Sequence, residues 1–161
     1  MSTTLYIDTR FIDKSELIAH IRKSEFYDKF VKILKENPKS RNHRFVPKLE
    51  EGGDISNPQN LYYSEVPNFS IPFIEILELD IHQKWEMDDE SFSAKIIVKL
   101  KDNQLFKIGC IFRLNKKEDS YIKIIMEGKW EEKIYFVPEF ILDHILNQIK
   151  YNITRLLESI D

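Results

Sequence analysis

The sequence has one cysteine, four glycines and six prolines among its 161 residues. A lone cysteine, Cys110, excludes a disulfide framework or a cysteine-based zinc site within the chain. The scarcity of glycine and proline argues against a flexible, low-complexity chain. No apolar run approaches the roughly 18 residues that a membrane span needs, and the first ten residues lack the basic and apolar segments of a secretory signal. We therefore expect a soluble cytoplasmic protein.

An excess of charge of one sign is also lacking. The 24 basic and 27 acidic residues are interleaved, and the net charge is −3. A broad basic face for a phosphate backbone is therefore not predicted, and nucleic acid is not an expected partner. The one local basic cluster, Lys39 to Arg44, is interpreted as a solvated loop.

Motifs of catalysis and metal binding are missing as well. The four histidines stand at no metal-ligand spacing, and there is no glycine-rich phosphate loop or nucleophile elbow. Cys110 has no basic neighbour to lower its pKa, so we expect a small buried apolar residue rather than a nucleophile. The sequence predicts no catalytic residue, no metal and no cofactor. It leaves enzymatic activity open but favours a protein without it.

What the chain does contain is a long alternation of apolar and polar residues from Leu77 to Trp130. This period of two predicts at least four consecutive antiparallel strands with one dry face and one wet face. A tight hairpin turn is predicted at residues 101–104. The residues predicted to face inward are Leu77, Leu79, Ile81, Gln83 and Trp85, then Phe92, Ala94, Ile96, Val98 and Leu100, then Phe106, Ile108, Cys110, Phe112 and Leu114, and finally Ile122, Ile124, Met126, Gly128 and Trp130.

The front of the chain predicts a strand followed by helix. Residues 5–12 alternate, as in a short strand with one better-buried side. Asp13 is a favoured N-cap, and a break near Ser24 would divide the following helical pattern in two. Asn37-Pro38 ends that pattern, because a residue before proline avoids helical angles.

Residues 37–72 are predicted to mix short strands and loop, with a mobile flap. Turns are predicted within this region at residues 52–54 and at Asn57-Pro58.

The end of the chain, Pro138 to Asp161, predicts one long amphipathic helix. Pro138 suits the first helical turn, and Glu139 suits the positive end of the helix dipole. At 1.5 Å per residue the helix would be about 35 Å long, enough to cross the sheet. Its apolar stripe is Ile141, Ile145, Ile149, Ile153, Leu156 and Ile160, widened by Leu142, Leu146 and Leu157. Gln148 and Asn152 are predicted to fall outside this stripe.

The order strand, helix, several strands, long helix, with Phe-Val-Pro-Glu-Phe at 136–140 before the final helix, resembles the START/Bet v 1-like superfamily (helix-grip, SRPBCC). The nearest likeness is to START-like domains of unknown function. The resemblance covers most of the chain and rests on element order rather than on invariant residues. It implies an α+β fold, one domain over residues 1–161, in which a strongly curved antiparallel sheet wraps around the C-terminal helix, with a strand and helix at the N-terminus.

The resemblance also implies an internal apolar cavity for sterols, phospholipids, polyketides or other hydrophobic molecules. Some members of the superfamily are cyclases, hydrolases or co-chaperone modules, so the fold limits function without assigning it. We expect non-enzymatic binding or transfer of a hydrophobic small molecule or lipid. The alternative is a protein-interaction or scaffold domain of the same fold with a filled core, and an aromatase- or cyclase-like enzyme is the third interpretation.

Gln83 is the polar residue on an otherwise apolar strand face. If buried, its amide needs hydrogen-bond partners, and a ligand group would be one; at the strand end, water or backbone would serve instead. The candidate ligand-binding residues are Gln83, Trp85, Phe112, Met126, Trp130, Ile145 and Ile149.

An apolar stretch at residues 69–74 is open to two interpretations. Exposed near a cavity mouth, it would suit transient contact with a membrane or a protein. Buried as the start of a strand, it needs no function. The sequence does not indicate an oligomeric state.

Overall fold

The computed structural model describes residues 2–49, 55–70, 72, 75–88, 90–100, 105–132 and 137–160. In chain order its elements are β1 (Ser2–Asp8), α1 (Lys14–Ile21), α2 (Ser24–Glu36), β2 (Ser40–Leu49), β3 (Ile55–Glu65), β4 (Ile76–Asp88), β5 (Ser91–Leu100), β6 (Leu105–Asn115), β7 (Lys123–Glu132) and α3 (Phe140–Glu158).

The seven strands form one antiparallel sheet in the order β1-β7-β6-β5-β4-β3-β2. Strands β2 to β7 are neighbours both along the chain and in the sheet. β1 pairs with β7 at one edge, so α1 and α2 connect that edge to β2 at the other. The sheet is curved and carries a C-terminal helix. The predicted α+β helix-grip fold is therefore confirmed, with two N-terminal helices instead of one.

The inward faces of β5 and β6 are those that the alternation predicts. Every predicted inward residue on these two strands is buried, from Phe92 to Leu114. On β4 the prediction is wrong for Leu77, whose side chain is 52% exposed. The register shifts between Ile76 and Glu78. Such an irregularity breaks the period of two, so the first residues of the strand no longer share the face of those that follow.

The ends of the N-terminal elements follow local chemistry. Asp13 caps α1 as predicted, and its Oδ1 accepts a hydrogen bond from the Ser15 N–H at 2.9 Å. The helical pattern divides between Ile21 and Ser24, and α2 ends at Glu36, before the Asn37-Pro38 pair. β1 is shorter than predicted and ends at Asp8. One side of residues 5–12 is better buried, as predicted: Ile7 on the strand, and Thr9 and Phe11 after it, are all buried.

Residues 37–72 form more strand than the sequence predicts. The mixture of short strands and loop is replaced by β2 and β3, of 10 and 11 residues. The basic cluster interpreted as a loop lies mostly in β2. Pro47 of edge strand β2 pairs with Pro58 of β3 at an irregularity in the register. A strand tolerates proline at an edge or a bulge, where no ladder N–H is needed, so the proline turn signal was misleading. The predicted turns at 52–54 and 101–104 lie outside the described residues.

Helix α3 begins at Phe140, two residues later than predicted, and packs against α2, β1 and β7. Its predicted apolar stripe is buried from Ile141 to Leu157. A Cβ atom added to Gly128 of β7 would lie 2.5 Å from Cδ1 of Leu146. A side chain at this position would therefore require the end of the Leu146 side chain to move.

Candidate functional site

A row of small side chains crosses the inward face in the middle of the sheet. Gln83 pairs with Ala94, Ala94 with Cys110, and Cys110 with Gly128, on four successive strands from β4 to β7. With neighbouring strands about 4.8 Å apart, this row runs about 14 Å from Gln83 to Gly128. We call Ala94, Cys110 and Gly128 the small-residue row. Its side chains end at a methyl group, a thiol and a hydrogen atom.

A bulky row borders the small-residue row on one side. The rings of Trp85 and Phe92 stack with centroids 4.3 Å apart. The rings of Phe92 and Phe112 stack at 4.5 Å, and Met126 lies opposite Phe112 in the ladder. The structure thus brings three of the predicted site residues, Trp85, Phe112 and Met126, into one buried row beside Gln83.

A second bulky row borders the small residues on the other side. Ile81, Ile96 and Ile108 pair successively across β4, β5 and β6. Trp130 pairs with Ile108 and completes this row on β7. Trp130 is half-buried, and its ring meets that of Phe106 edge-on at 5.7 Å. The predicted site residue Trp130 is thus separated from Trp85 and Phe112 by the small-residue row.

Gln83 lies at one end of this arrangement and is fully buried. Its Nε2 donates to the Tyr63 hydroxyl at 2.8 Å, while its Oε1 has no partner among the described residues. Rotating the amide would exchange these two atoms and still leave one of them unpaired. Of the two alternatives that the sequence left open for Gln83, the structure shows the buried amide and not one in contact with water at the strand end.

Trp85 has an unpaired polar atom on the same strand face, two residues further on. The residue is 2% exposed, and its Nε1 has no hydrogen-bond partner in the described part of the chain. A buried polar group without a partner costs about 1–3 kcal/mol, so native proteins rarely keep one. Here an acceptor on Gln83 and a donor on Trp85 remain unpaired on one face of β4.

A second group of buried polar side chains surrounds Glu65, at the end of β3. Glu65 is 1% exposed. Its Oε1 accepts hydrogen bonds from Ser40 Oγ at 2.9 Å and from Asn152 Nδ2, and its Oε2 accepts one from Gln148 Nε2 at 2.7 Å. All three donors are uncharged. Burial raises the pKa of the Glu65 carboxyl, while these hydrogen bonds and the charge of Lys39 act to lower it.

The Glu65 group joins β2, β3 and α3 to the residue that follows α2. Asn152 Oδ1 accepts a hydrogen bond from Asn37 Nδ2, just after α2, at 3.1 Å. Gln148 Nε2 also donates to the Val66 carbonyl at 3.0 Å, and its Oε1 accepts from the Asn68 N–H at 3.3 Å. The prediction that these two α3 residues fall outside the buried stripe is wrong: Gln148 is 5% and Asn152 0% exposed. Each stands three residues after a stripe isoleucine, Ile145 or Ile149, and that spacing was the signal in the sequence.

Tyr63 links the two polar groups. Its hydroxyl contacts Gln83 on one side and Asn152 on the other. Burial, followed by the negative charge of Glu65, raises the pKa of Tyr63 well above its ordinary value. The phenol therefore stays uncharged and connects Gln83 to the Glu65 group.

The two remaining candidate residues lie on α3, and two other residues with reactive side chains, Cys110 and His144, differ in their exposure. Ile145 and Ile149 are fully buried on α3. Cys110 is buried as expected, and burial, with a contribution from the charge of Glu127, raises the pKa of its thiol to about 12. His144 is exposed, with the rings of Phe69 and Phe140 each 5.7 Å away.

Metal sites and membrane spans are both absent from the described part of the chain. Its residues contain no group of three or more histidine, cysteine, aspartate or glutamate side chains placed to bind a metal. None of the helices in the described ranges is both long and apolar enough to cross a bilayer. Membrane contact through residues 69–74 stays a prediction, because Ile71, Phe73 and Ile74 are not among the residues that the structure describes. The cytoplasmic location stays a prediction as well.

No protein-family model and no curated protein matches the chain. Among solved structures, the Bet v 1 allergen Ara h 8.0201 matches with 11% identity over 99% of this chain and 95% of its own, at a TM-score of 0.55. A START superfamily protein from Mycobacterium smegmatis matches with 12% identity over 99% of this chain and 94% of its own, at a TM-score of 0.48. The protein TTHA0849 from Thermus thermophilus matches with 9% identity over 98% of this chain and 91% of its own, at a TM-score of 0.46.

Of these three matches, that to Ara h 8.0201 alone has a TM-score above 0.5. It shows that the chain has the START/Bet v 1-like fold. At this level of identity the likeness concerns the fold and not the activity.

Proposed function

We propose that the protein binds a hydrophobic small molecule or lipid between the curved sheet and α3, and holds or transfers it without converting it. The observation that carries this proposal is the small-residue row. It lies between two bulky apolar rows and ends at the unpaired amide atom of Gln83. Small-molecule sites have this character, with mostly apolar walls and a few polar groups that orient the ligand.

In this proposal the apolar residues supply affinity. Trp85, Phe112 and Met126 form one wall, and the flexible Met126 side chain adapts to ligand shape. Trp130 forms part of the opposite wall, and Ile145 and Ile149 of α3 close the site. Each Å² of apolar ligand surface removed from water contributes about 25 cal/mol, so a ligand that buries about 200 Å² gains about 5 kcal/mol.

The titratable groups near the row favour binding over catalysis. The thiol of Cys110 is kept protonated by burial. The two carboxylate oxygens of Glu65 are taken by Ser40, Asn152 and Gln148. Neither group is placed to attack a ligand or to exchange a proton with it.

The alternative function is an interaction or scaffold domain with a filled core. One observation favours it: protein atoms cover both ends of the region. The rings of Phe26 and Phe30 meet Trp85 edge-on at 5.2 and 6.0 Å, and Leu146 occupies the space over Gly128.

Replacing Ala94 with leucine distinguishes the two functions. If the space over the small-residue row accepts a ligand, Ala94→Leu fills it and the protein folds with unchanged or higher stability. Binding of the neutral dye Nile red, measured by fluorescence titration, then falls at least about tenfold. If the core is already filled, the added atoms overpack it and lower the free energy of unfolding by about 1–3 kcal/mol.

The matched control is Ser93→Leu, which adds a leucine on the other face of β5, one residue away. It should leave dye binding unchanged. Native mass spectrometry of the purified protein provides a second readout, in which a co-purifying lipid or small molecule is expected. A protein that carries no ligand, does not bind Nile red and is destabilised by Ala94→Leu would contradict the proposal and favour the scaffold alternative.

A further inference from the structure

We infer that the ligand is an uncharged alcohol or phenol whose hydroxyl lies between Gln83 and Trp85, and that the site discriminates against carboxylates. This inference rests on the proposed function and specifies its ligand. It starts from the two buried atoms of β4 that lack partners among the described residues, Gln83 Oε1 and Trp85 Nε1.

The hydrogen-bonding requirements of these two atoms are complementary to a hydroxyl group. With Gln83 Nε2 donating to Tyr63, the unpaired Oε1 only accepts, and Trp85 Nε1–H only donates. A hydroxyl both donates and accepts, so one group satisfies both residues. An ionised carboxylate only accepts hydrogen bonds, so Gln83 Oε1 would remain without a donor. An ammonium group only donates and would leave Trp85 unpaired.

The charge near this end of the row gives an independent reason to exclude anions. Glu65 lies in the same connected group through Tyr63, whose hydroxyl contacts Gln83 at 2.8 Å. The negative charge of Glu65 already opposes ionisation of Tyr63. The same field would oppose a ligand anion at Gln83, and repulsion between like charges is strong in a buried, poorly polarisable site. This argument holds for either orientation of the Gln83 amide.

The small-residue row specifies where the apolar body of the ligand lies. From Gln83 it passes over Ala94 and Cys110, two strand spacings or about 10 Å, towards the point where Leu146 covers Gly128. The stacked rings from Trp85 to Phe112 flank this path. The ligand class is therefore an amphipathic alcohol, with one hydroxyl at the end of an extended or polycyclic apolar body.

The test compares two ligands that differ in the terminal group alone. Dodecanol and dodecanoate compete with Nile red for the full-length protein at a mildly alkaline pH, where the acid is ionised. Dodecanol should displace the dye at a concentration at least about tenfold lower, because a site built to hydrogen-bond a hydroxyl discriminates against a group that leaves its polar atoms unpaired.

Two variants assign the preference to the proposed atoms. Trp85→Phe removes the Nε1–H and keeps an aromatic ring in the stack, and Gln83→Leu removes the amide. Each should reduce the preference for the alcohol to about threefold or less, provided that circular dichroism shows a folded protein. Tyr121→Phe, which removes one hydroxyl from a residue that is 59% exposed, should keep the full preference.

The outcomes separate this inference from the proposed function. If dodecanoate binds as tightly as dodecanol, or if both folded variants keep the full preference, the hydroxyl assignment is overturned while ligand binding stands. If Nile red, dodecanol and dodecanoate all fail to bind, the proposed function itself is overturned.

Discussion

Two buried amide side chains, Asn152 and Gln83, differ in how fully they are paired. Both are 0% exposed, and both contact Tyr63. Asn152 Nδ2 donates a hydrogen bond to Glu65, and Asn152 Oδ1 accepts one from Asn37. Gln83 uses its Nε2 and leaves Oε1 without a partner in the described ranges. The two amides are therefore equally buried, and the difference between them lies in the pairing of their polar atoms.

The physical reason lies in the weak screening of the interior. A fully paired polar network is stabilised there, while an unpaired group is costly. The Glu65 group joins β2, β3 and α3 to the end of α2, so we expect it to contribute to stability. The unpaired atoms of Gln83 and Trp85 instead lower stability, and in our proposal hydrogen bonds to a ligand offset that cost. The following three experiments test this distinction.

The largest effect is expected for Asn152→Leu. This change leaves buried Glu65 without one donor and Asn37 without its acceptor. The free energy of unfolding, measured by urea denaturation, should fall by about 3 kcal/mol. Tyr151→Leu, at the neighbouring residue of α3 that is 55% exposed, is the control and should stay within about 0.5 kcal/mol of the wild type. Equal effects of the two variants would contradict a structural role for the network.

A smaller effect is expected from the titration of Glu65. Burial raises its folded-state pKa above the value of 4.5, so the folded protein binds more protons than the unfolded chain over the interval between the two values. The contribution to stability is fully present below 4.5 and is lost as pH rises through the raised pKa. As the pH is raised across this interval, the urea midpoint of the wild type should fall relative to that of Glu65→Gln.

Glu118→Gln provides the control for that titration. It removes a carboxylate from an exposed loop residue and should keep the pH dependence of the wild type. If Glu65→Gln and the wild type respond to pH in parallel, the carboxyl of Glu65 does not carry this effect.

The smallest effect on stability is expected for Gln83→Leu, which matches Asn152→Leu in chemical type and in burial. The change removes one hydrogen bond to Tyr63 but also removes an atom that has no partner among the described residues, so the free energy of unfolding should change by less than about 1 kcal/mol. Equilibrium urea denaturation of the two leucine variants side by side measures the difference. A loss as large as that of Asn152→Leu would show that Gln83 is structural.

Much of the sheet could be predicted because its physics is local. One dry face requires an apolar residue at every second position, which identified the inward residues from Phe92 to Met126. The region 37–72 could not be predicted in the same way. Its prolines indicate turns locally, and only the pairing of Pro47 with Pro58 across two strands makes them compatible with the sheet.

The candidate site was predictable in composition but not in arrangement. The alternation alone placed Gln83, Trp85, Phe112 and Met126 on the inward side. That Ala94, Cys110 and Gly128 form one row depends on the register of four strands, which residue spacing does not specify. Glu65 was missed altogether, because Asn152, which donates to it, lies 87 residues further along the chain.

The sequence by itself determined which elements form and which face of each is apolar, because helix and strand periods and capping act between residues a few positions apart. Only the tertiary structure decided which polar side chains would be paired. Hydrogen bonds between distant segments depend on strand register and on where α3 lies, and these come from packing the whole chain. The difference between Asn152, paired through both ends of its amide, and Gln83, paired through one, therefore arises only in the folded protein.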